Sequence, residues 1–290
     1  MIMQWKKAVI IGAGPAGIAC AIQLKRSGIE PYLIERDEVG GLLLQANLVE
    51  NYPGFPSGIS GEELVRQFTL QLKRFKITPH KGDVERIEQC GEEYLIRTGN
   101  EELSSSIVIV ATGTRAKMLD TGGTRMNGAL HFDIRPLRAL QDKDIAVIGG
   151  GDAAFDYALA LSAKNRVSIF FRRAQPSCLR LLYDRARHDP SIRCNANCDV
   201  QGIQRHGEKH FVVCGKPGGA PLDFDRILCA IGRIPDTGLL SSRLLQAFEH
   251  ASSLPNLHYI GDVRRGNMRQ VGIAVGDGLH AAMLIREKIG

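Results

Sequence analysis

The feature that most constrains the fold is a strand–turn–helix–strand unit that occurs twice. In the first copy, Ala8, Val9, Ile10 and Ile11 form a short apolar run that breaks into the glycines of GAGPAG. The helical pattern IACAIQLKRSG follows and is ended by Gly28, and PYLIER then reads as a second strand closing on Glu35. A second copy, DIAVIGGGDAAFDYALALSAKNRVSIFFRR, runs from Asp144 to Arg173, with Gly149 standing 137 residues after Gly12. Each copy is followed by an apolar strand that ends in small residues and glycine, SSIVIVATG to Gly113 and FDRILCAIG to Gly232. Strands alternating with helices imply parallel sheets covered on both faces, and right-handed crossovers make each copy a doubly wound domain. The predicted fold class is α/β, with two Rossmann-like three-layer dinucleotide-binding domains.

A chain of 290 residues is long enough for two such domains. The segment after Ser241, with LHYIGD and RQVGIAVGDGLHAAMLIREKI, reads as one strand and a closing helix. It is too short for a third domain and needs a sheet to pack on, which assigns it to the first. The expected boundaries are therefore 1–114 with 239–290 for a discontinuous first domain, and 115–238 for an inserted second. Two crossings, near Arg115 and Gly238, would permit rigid-body rotation.

No run approaches the roughly 18 to 20 apolar residues of a membrane span, and the N-terminus enters a strand without the apolar core of a signal peptide. A soluble, cytoplasmic protein is expected. The 37 Lys and Arg residues, against 31 Asp and Glu, are spread along the chain and not interleaved with aromatics, which argues against nucleic acid. Seven cysteines, an odd number, do not form a secreted disulfide framework, and no Cys-x-x-Cys occurs. Cys194 and Cys198, with His188 and His206 nearby, lack zinc-knuckle spacing, so no metal is expected.

The glycine turns carry the chemistry. In GAGPAG, Gly12 permits the tight turn, Gly14 lets the backbone approach a pyrophosphate, and Gly17 brings helix against strand. Pro15 and Ala16 open the helix, whose free N–H groups face the anion. Glu35 stands where an acid accepts hydrogen bonds from a ribose. The second turn, Gly149, Gly151 and Ala154, is followed by a strand ending in Arg172 and Arg173 instead of an acid. Paired guanidinium groups suit a ribose 2′-phosphate, which points to NADPH over NADH. Two unequal dinucleotide sites imply one tightly held and one exchanging cofactor, with hydride transfer between them.

Nearly end to end, the chain resembles the low-molecular-weight thioredoxin reductases and related pyridine-nucleotide flavoproteins. The likeness is carried in order by GAGPAG, ERDEVGG, ENYPGFP, ATG, GGGDAA, FRR, AIGRIPDT, IGD and RQVGIAVGDGLHAA. The resemblance implies FAD in the outer domain, contacted by the first glycine turn, Glu35, Arg36, Gly40, Gly41, Leu42 and the Ala111–Thr112–Gly113 turn. It further implies Asn51 near the isoalloxazine, backbone of Val84 at the adenine, Gly261 and Asp262 at the ribityl chain, and Arg269, Gln270 and Val271 at the flavin ring. NADPH would be held by Gly149, Gly151, Asp152, Ala153, Arg172, Arg173, Ile231 and Gly232. Members of the family are usually homodimers, and some rotate their domains.

The chain departs from that family at one point. Counting back from Gly149 places the redox dithiol of thioredoxin reductases at Phe132 and Arg135, neither of which supports thiol–disulfide exchange. GGGDAAFDYALAL is partly similar to the dithiol-free ferredoxin/flavodoxin NADP reductases of thioredoxin-reductase type. The expected reaction is hydride transfer from NADPH to FAD, then electron transfer to a small redox protein such as a ferredoxin or flavodoxin. A disulfide reductase using an atypical cysteine (Cys20 or Cys178), or reducing a small disulfide directly at the flavin, is the alternative. A non-enzymatic flavin- or nucleotide-sensing module is the third reading. His131, beside Phe132, is a candidate proton donor or a structural histidine, and no catalytic residue is assigned.

Overall fold

The computed structural model describes residues 3–99, 101–119, 128–206, 209–214 and 223–289. The chain divides into two compact units: Met1–Leu44, Glu50–Arg115 and Ile234–Gly290 form one, and Gln45–Val49 with Ala116–Arg233 form the other.

The first unit contains β1 (Met3–Ile11), α1 (Pro15–Arg26), β2 (Pro31–Glu35), α2 (Gly61–Arg74), β3 (His80–Lys81), β4 (Val84–Cys90), β5 (Glu93–Thr98) and β6 (Glu101–Val110). After β6 the chain forms β7 (Thr114–Ala116) and leaves for the second unit. That unit holds β8 (Leu130–His131), β9 (Asp144–Ile148), α3 (Asp152–Ser162), β10 (Arg166–Phe170), α4 (Arg180–His188) and β11 (Ile192–Asn195). It continues through β12 (Val200–His206), β13 (Lys209–Cys214), β14 (Asp223–Phe224) and β15 (Arg226–Cys229). The chain returns through β16 (Arg233–Pro235) to α5 (Ser242–Glu249), β17 (Leu257–Tyr259) and α6 (Val271–Ile289).

In the first unit the sheet order is β3-β2-β1-β6-β5-β4, with β17 also pairing β6. The strands β2, β1, β6 and β17 run parallel, while β5 joins β6 antiparallel. A parallel strand covered on both faces needs apolar residues at consecutive positions, and Ala8, Val9 and Ile10 have no exposed surface. Helix α6 docks on α1 through small residues: a Cβ on Gly278 would lie 2.2 Å from the Ala16 carbonyl oxygen. The C-terminal segment therefore completes the first unit, β17 against β6 and α6 against α1.

The second unit has a parallel sheet in the order β11-β10-β9-β15-β8 and a separate antiparallel sheet, β12-β13-β14. Its core gathers Ile145, Val147, Phe155, Leu161, Val167, Ile169 and Leu228 between sheet and helices. Among the described residues, no helix is long and apolar enough to cross a membrane.

The exit from the first unit falls one residue later than expected, after Arg115, and two further boundaries differ from the sequence expectation. The return to the first unit falls at Ile234 and not at Gly238, because the Asp236 amide donates to the Gly113 carbonyl (3.1 Å) and the Thr112 hydroxyl to the Asp236 carbonyl (2.7 Å). Gln45–Val49 also folds with the second unit, so the chain crosses between units four times and not twice.

Candidate cofactor sites

In the first unit the glycine turn follows β1 and Gly14 caps α1. Gly12 has φ +104° and a Cβ there would lie 2.4 Å from the Ala111 carbonyl oxygen; at Gly17 it would lie 1.9 Å from the Gly12 carbonyl oxygen. Both positions thus require glycine for close backbone approach. Gly14 is different, since a Cβ there would meet nothing within 4 Å. The turn is packed on its inner side and open over the helix N-terminus, which is the geometry that admits a pyrophosphate.

Glu35 ends β2 beside this opening. Its Oε2 accepts from the Ala13 amide (2.6 Å) and its Oε1 from the Asp37 amide (2.9 Å). The carboxylate is fixed in place, and each oxygen keeps a further lone pair for a ribose hydroxyl. Gly40 donates its amide to the Ala13 carbonyl (2.8 Å), and a Cβ at Gly41 would lie 3.6 Å from the Gly14 Cα. Leu42 continues in a short 3-10 helix over Gly41–Gln45. Gly82 donates to the Glu35 carbonyl (3.0 Å), which brings the start of β4, with buried Val84, alongside.

Other expected residues collect in the same unit. Arg36 pairs with Asp236 at 3.1 Å, while Ala111 donates to Ile11 (2.8 Å) at the end of β6. Asn51 donates through Nδ2 to Oε1 of Gln270 (2.8 Å), joining two expected flavin-ring positions that are 219 residues apart. Gly261 has φ +70°, starts the 3-10 turn that carries Asp262, and donates to Asp277 Oδ2 at 3.0 Å. Asp277 also accepts from Arg265 Nε (2.9 Å) and from Arg265 Nη2. Asp277 and Asp236 are missing from the residues the sequence marks for the site; each lies inside a stretch that carries the family likeness, GDGLHAA and AIGRIPDT.

In the second unit, Gly149 has φ +149° and a Cβ there would lie 2.3 Å from the Ala230 carbonyl oxygen. Ala154 is fully buried at the third motif position, and Gly151, the N-cap of α3, is open with nothing within 4 Å of a Cβ. Asp152 and Ala153 are exposed in the first turn. Strand β10 stops at Phe170, so Arg172 and Arg173 sit just beyond it, both exposed. The next loop folds back on the turn: Ser177 donates its amide to Gly150 (2.8 Å) and Leu179 donates to Asp152 Oδ1 (2.8 Å). Ile231 and Gly232, also exposed, follow β15. Both openings fit a bound dinucleotide.

The positions of the missing dithiol lie between β8 and β9. Asp133 Oδ2 accepts from Arg135 Nε (2.8 Å) and Nη2 (2.5 Å), and Oδ1 accepts from the Arg135 amide (2.8 Å). Arg135, one of the two positions expected for a thiol, is thus engaged in an ion pair with Asp133. His131 sits in β8 in register with Leu228, and burial first, then Arg226, lower its pKa.

Burial makes four of the free cysteines unfavourable nucleophiles. Burial pushes the thiols of Cys20 up to about 12 and of Cys178 and Cys229 up to about 11, and raises that of Cys194. Cys198, which lacks zinc-knuckle spacing with Cys194, is disulfide-bonded. Among the described residues, no group of three or more His, Cys, Asp or Glu could hold a metal ion.

Two nucleotide-type turns in one chain define a two-cofactor oxidoreductase. The chain belongs to the pyridine nucleotide-disulphide oxidoreductase family, which it matches over residues 6–278. It is an NAD(P)H-dependent flavoprotein oxidoreductase that uses FAD and NADPH. It is 29% identical to a thioredoxin reductase of Mycolicibacterium smegmatis over 293 residues, 95% of this chain and 94% of that one. The crystal structure of Lactococcus lactis thioredoxin reductase in its FR conformation is similar with a TM-score of 0.88 and 28% identity over 98% of both chains. That of T. acidophilum thioredoxin reductase is similar with a TM-score of 0.86 and 26% identity over 99% of both.

Proposed function

We propose that this enzyme passes electrons from NADPH through FAD to a small redox protein of ferredoxin or flavodoxin type, without an internal dithiol. The observation that carries this reading is the stretch Phe132–Arg135, which the resemblance aligns with the redox cysteines of thioredoxin reductases and in which Arg135 pairs with Asp133. Neither side chain exchanges with a disulfide. The relatives' names support a small redox protein as partner, and the missing Cys-x-x-Cys supports a different route to it. A net charge of +6 assists encounter with an acidic partner at low salt. By resemblance the enzyme is assigned as a homodimer of the cytoplasm.

When bound, FAD would supply the capacity to take two electrons with a hydride and to give them up singly or in pairs. The chain's own residues bind and orient. Gly12, Gly14, Gly17 and Glu35 are assigned to the FAD pyrophosphate and ribose, with Asn51 and Gln270, hydrogen-bonded to each other, at the ring. Gly149, Gly151 and Asp152 are assigned to the NADPH pyrophosphate, and the exposed Arg172 and Arg173 to its 2′-phosphate.

Family membership sets the sensing module aside. The raised thiols do not support a route through Cys20 or Cys178. The test is anaerobic rapid mixing of the purified holoenzyme with NADPH, then with ferredoxin, flavodoxin, thioredoxin and small disulfides. Flavin bleaching followed by fast reoxidation with ferredoxin or flavodoxin is expected. Reoxidation by thioredoxin or a small disulfide alone would replace the proposed acceptor, and no bleaching would overturn the assignment of both sites.

A further inference from the structure

Leu44 and Glu50 belong to the first unit, yet the five residues between them fold with the second. What gathers them is polar and specific. The Tyr157 hydroxyl donates to Gln45 Oε1 at 2.9 Å, and both side chains belong to buried residues, 7% and 8% exposed. Arg138 Nη2 donates to the carbonyls of Gln45 (3.1 Å) and Ala46 (3.3 Å). The Asn47 amide donates to Asp156 Oδ2 at 2.8 Å, and Leu48 adds a second backbone hydrogen bond to the same carboxylate. Two backbone amides share one carboxylate, and the buried Tyr157–Gln45 pair satisfies its polar groups against each other.

Both ends of this grip matter. Gln45–Val49 fills the gap between Leu42 and Asn51, two residues assigned above to the flavin, and Asn51 is itself tied to Gln270. On the other side, Asp156 and Tyr157 stand one helical turn beyond Asp152 and Ala153 on α3, whose first turn is assigned to NADPH. One helix therefore faces the nucleotide with its first turn and holds the flavin-flanking segment with its second. Burial pushes the Tyr157 phenol up to about 12, which keeps it a hydrogen-bond donor. Burial raises the Asp156 pKa, the Asn47 and Leu48 amides and Arg138 oppose that rise, and Asp152 adds to it.

We propose that Tyr157, Asp156 and Arg138 are positioning residues that fix the flavin-flanking segment Gln45–Val49 on the nucleotide-binding helix. The assignment rests on the cofactor sites proposed above. Without the grip, Leu42 and Asn51 lose the support that lies between them, while the nucleotide turn at Gly149–Gly151 is untouched.

Tyr157→Phe and Asp156→Asn in the holoenzyme test this, with hydrogen exchange of residues 45–49, the flavin absorption band and midpoint potential, and NADP+ affinity as readouts. Exchange of the Asn47 and Leu48 amides is expected to quicken about tenfold, as for a lost buried hydrogen bond. The flavin band and potential should shift, and bleaching at saturating NADPH should slow several-fold, with NADP+ affinity held within about twofold. The double variant Gln45→Leu/Tyr157→Phe removes the polar pair together, so it keeps the fold if a lone unpaired partner unfolds it; it should still shift the flavin band. Unchanged exchange would show that the grip does not hold the segment. Faster exchange with an unchanged band, potential and bleaching rate would reduce it to a packing contact. A wild-type protein that binds no FAD would instead overturn the cofactor assignment, and the positioning role with it, whereas exchange would still report the grip.

Discussion

Replacing Cys20 and Cys178 by alanine, singly and together, is expected to leave NADPH-driven acceptor reduction intact. Cys20 lies fully buried in α1, and burial alone pushes its thiol up to about 12. Cys178 is half-buried, and burial followed by the Asp152 carboxylate pushes its thiol up to about 11. At pH 7 the reactive thiolate is then about 10⁻⁵ of Cys20 and about 10⁻⁴ of Cys178, against about 10⁻² for a thiol at the ordinary value of 9.0. A more basic thiolate is also the better nucleophile, which offsets about half of this loss, so attack on a disulfide is slower by about one and a half powers of ten at Cys20 and about one at Cys178 than for an ordinary thiol. The assay is steady-state turnover with each acceptor, alongside FAD content and Tm, because Cys20→Ala also removes a core sulfur and costs about 1 to 2 kcal/mol. Turnover per bound flavin should stay within about twofold in all three variants. A thiol route would show itself in two ways: a loss above about tenfold, or about 1.4 kcal/mol, in Cys178→Ala with flavin retained, and a wild-type rate rising about tenfold per pH unit from 7 towards 10. Either result would refute the reasoning from thiol burial.

Arg172→Gln with Arg173→Gln is expected to raise KM for NADPH by about ten- to a hundredfold while leaving NADH nearly unchanged, as two charge-assisted bonds to the 2′-phosphate disappear. Equal losses with both nucleotides would detach these arginines from the phosphate. Asp277→Ala removes the acceptor for Gly261 and Arg265, and should cost about 2 kcal/mol and quicken FAD release; retention of FAD at the wild-type rate would deny Asp277 its scaffold role. His258 is half-buried in β17, and burial first, then Lys288, pushes its pKa down from 6.5 to about 4. The unfolded chain takes up this proton near pH 6.5 and the folded one only near 4, so stability should fall as pH drops across that interval, by up to about 3 kcal/mol. His258→Phe should flatten that part of the Tm–pH profile, and an unaltered slope would place the acid sensitivity elsewhere.

The parts of this structure legible in the sequence are those whose physics is local. A glycine turn between a buried strand and a helix is dictated by φ values and close approaches within a few residues, as at Gly12 and Gly17 or Gly149 and Ala154. The α/β fold follows from two such units, and so does the docking of α6 on α1, because small residues at Gly278 and Ala16 leave room for it. The parts that were not legible depend on polar pairs at long separation. Tyr157 and Gln45 are 112 residues apart, and nothing near either one marks it as the other's partner. A Tyr in an apolar helix reads as core, and only the fold shows that its hydroxyl holds a segment of the chain that otherwise belongs to the first unit. The return at Ile234 was displaced for the same reason, since Asp236 is tied to Thr112 and Gly113 across more than 120 residues. At the place of the missing dithiol both kinds of information meet. That no thiol stands at Phe132 or Arg135 is a property of the sequence; that Arg135 neutralises Asp133 in an internal pair is a property of the fold. Together they leave this stretch without a thiol and with its carboxylate paired, which is the arrangement the proposed route from the flavin straight to an acceptor requires.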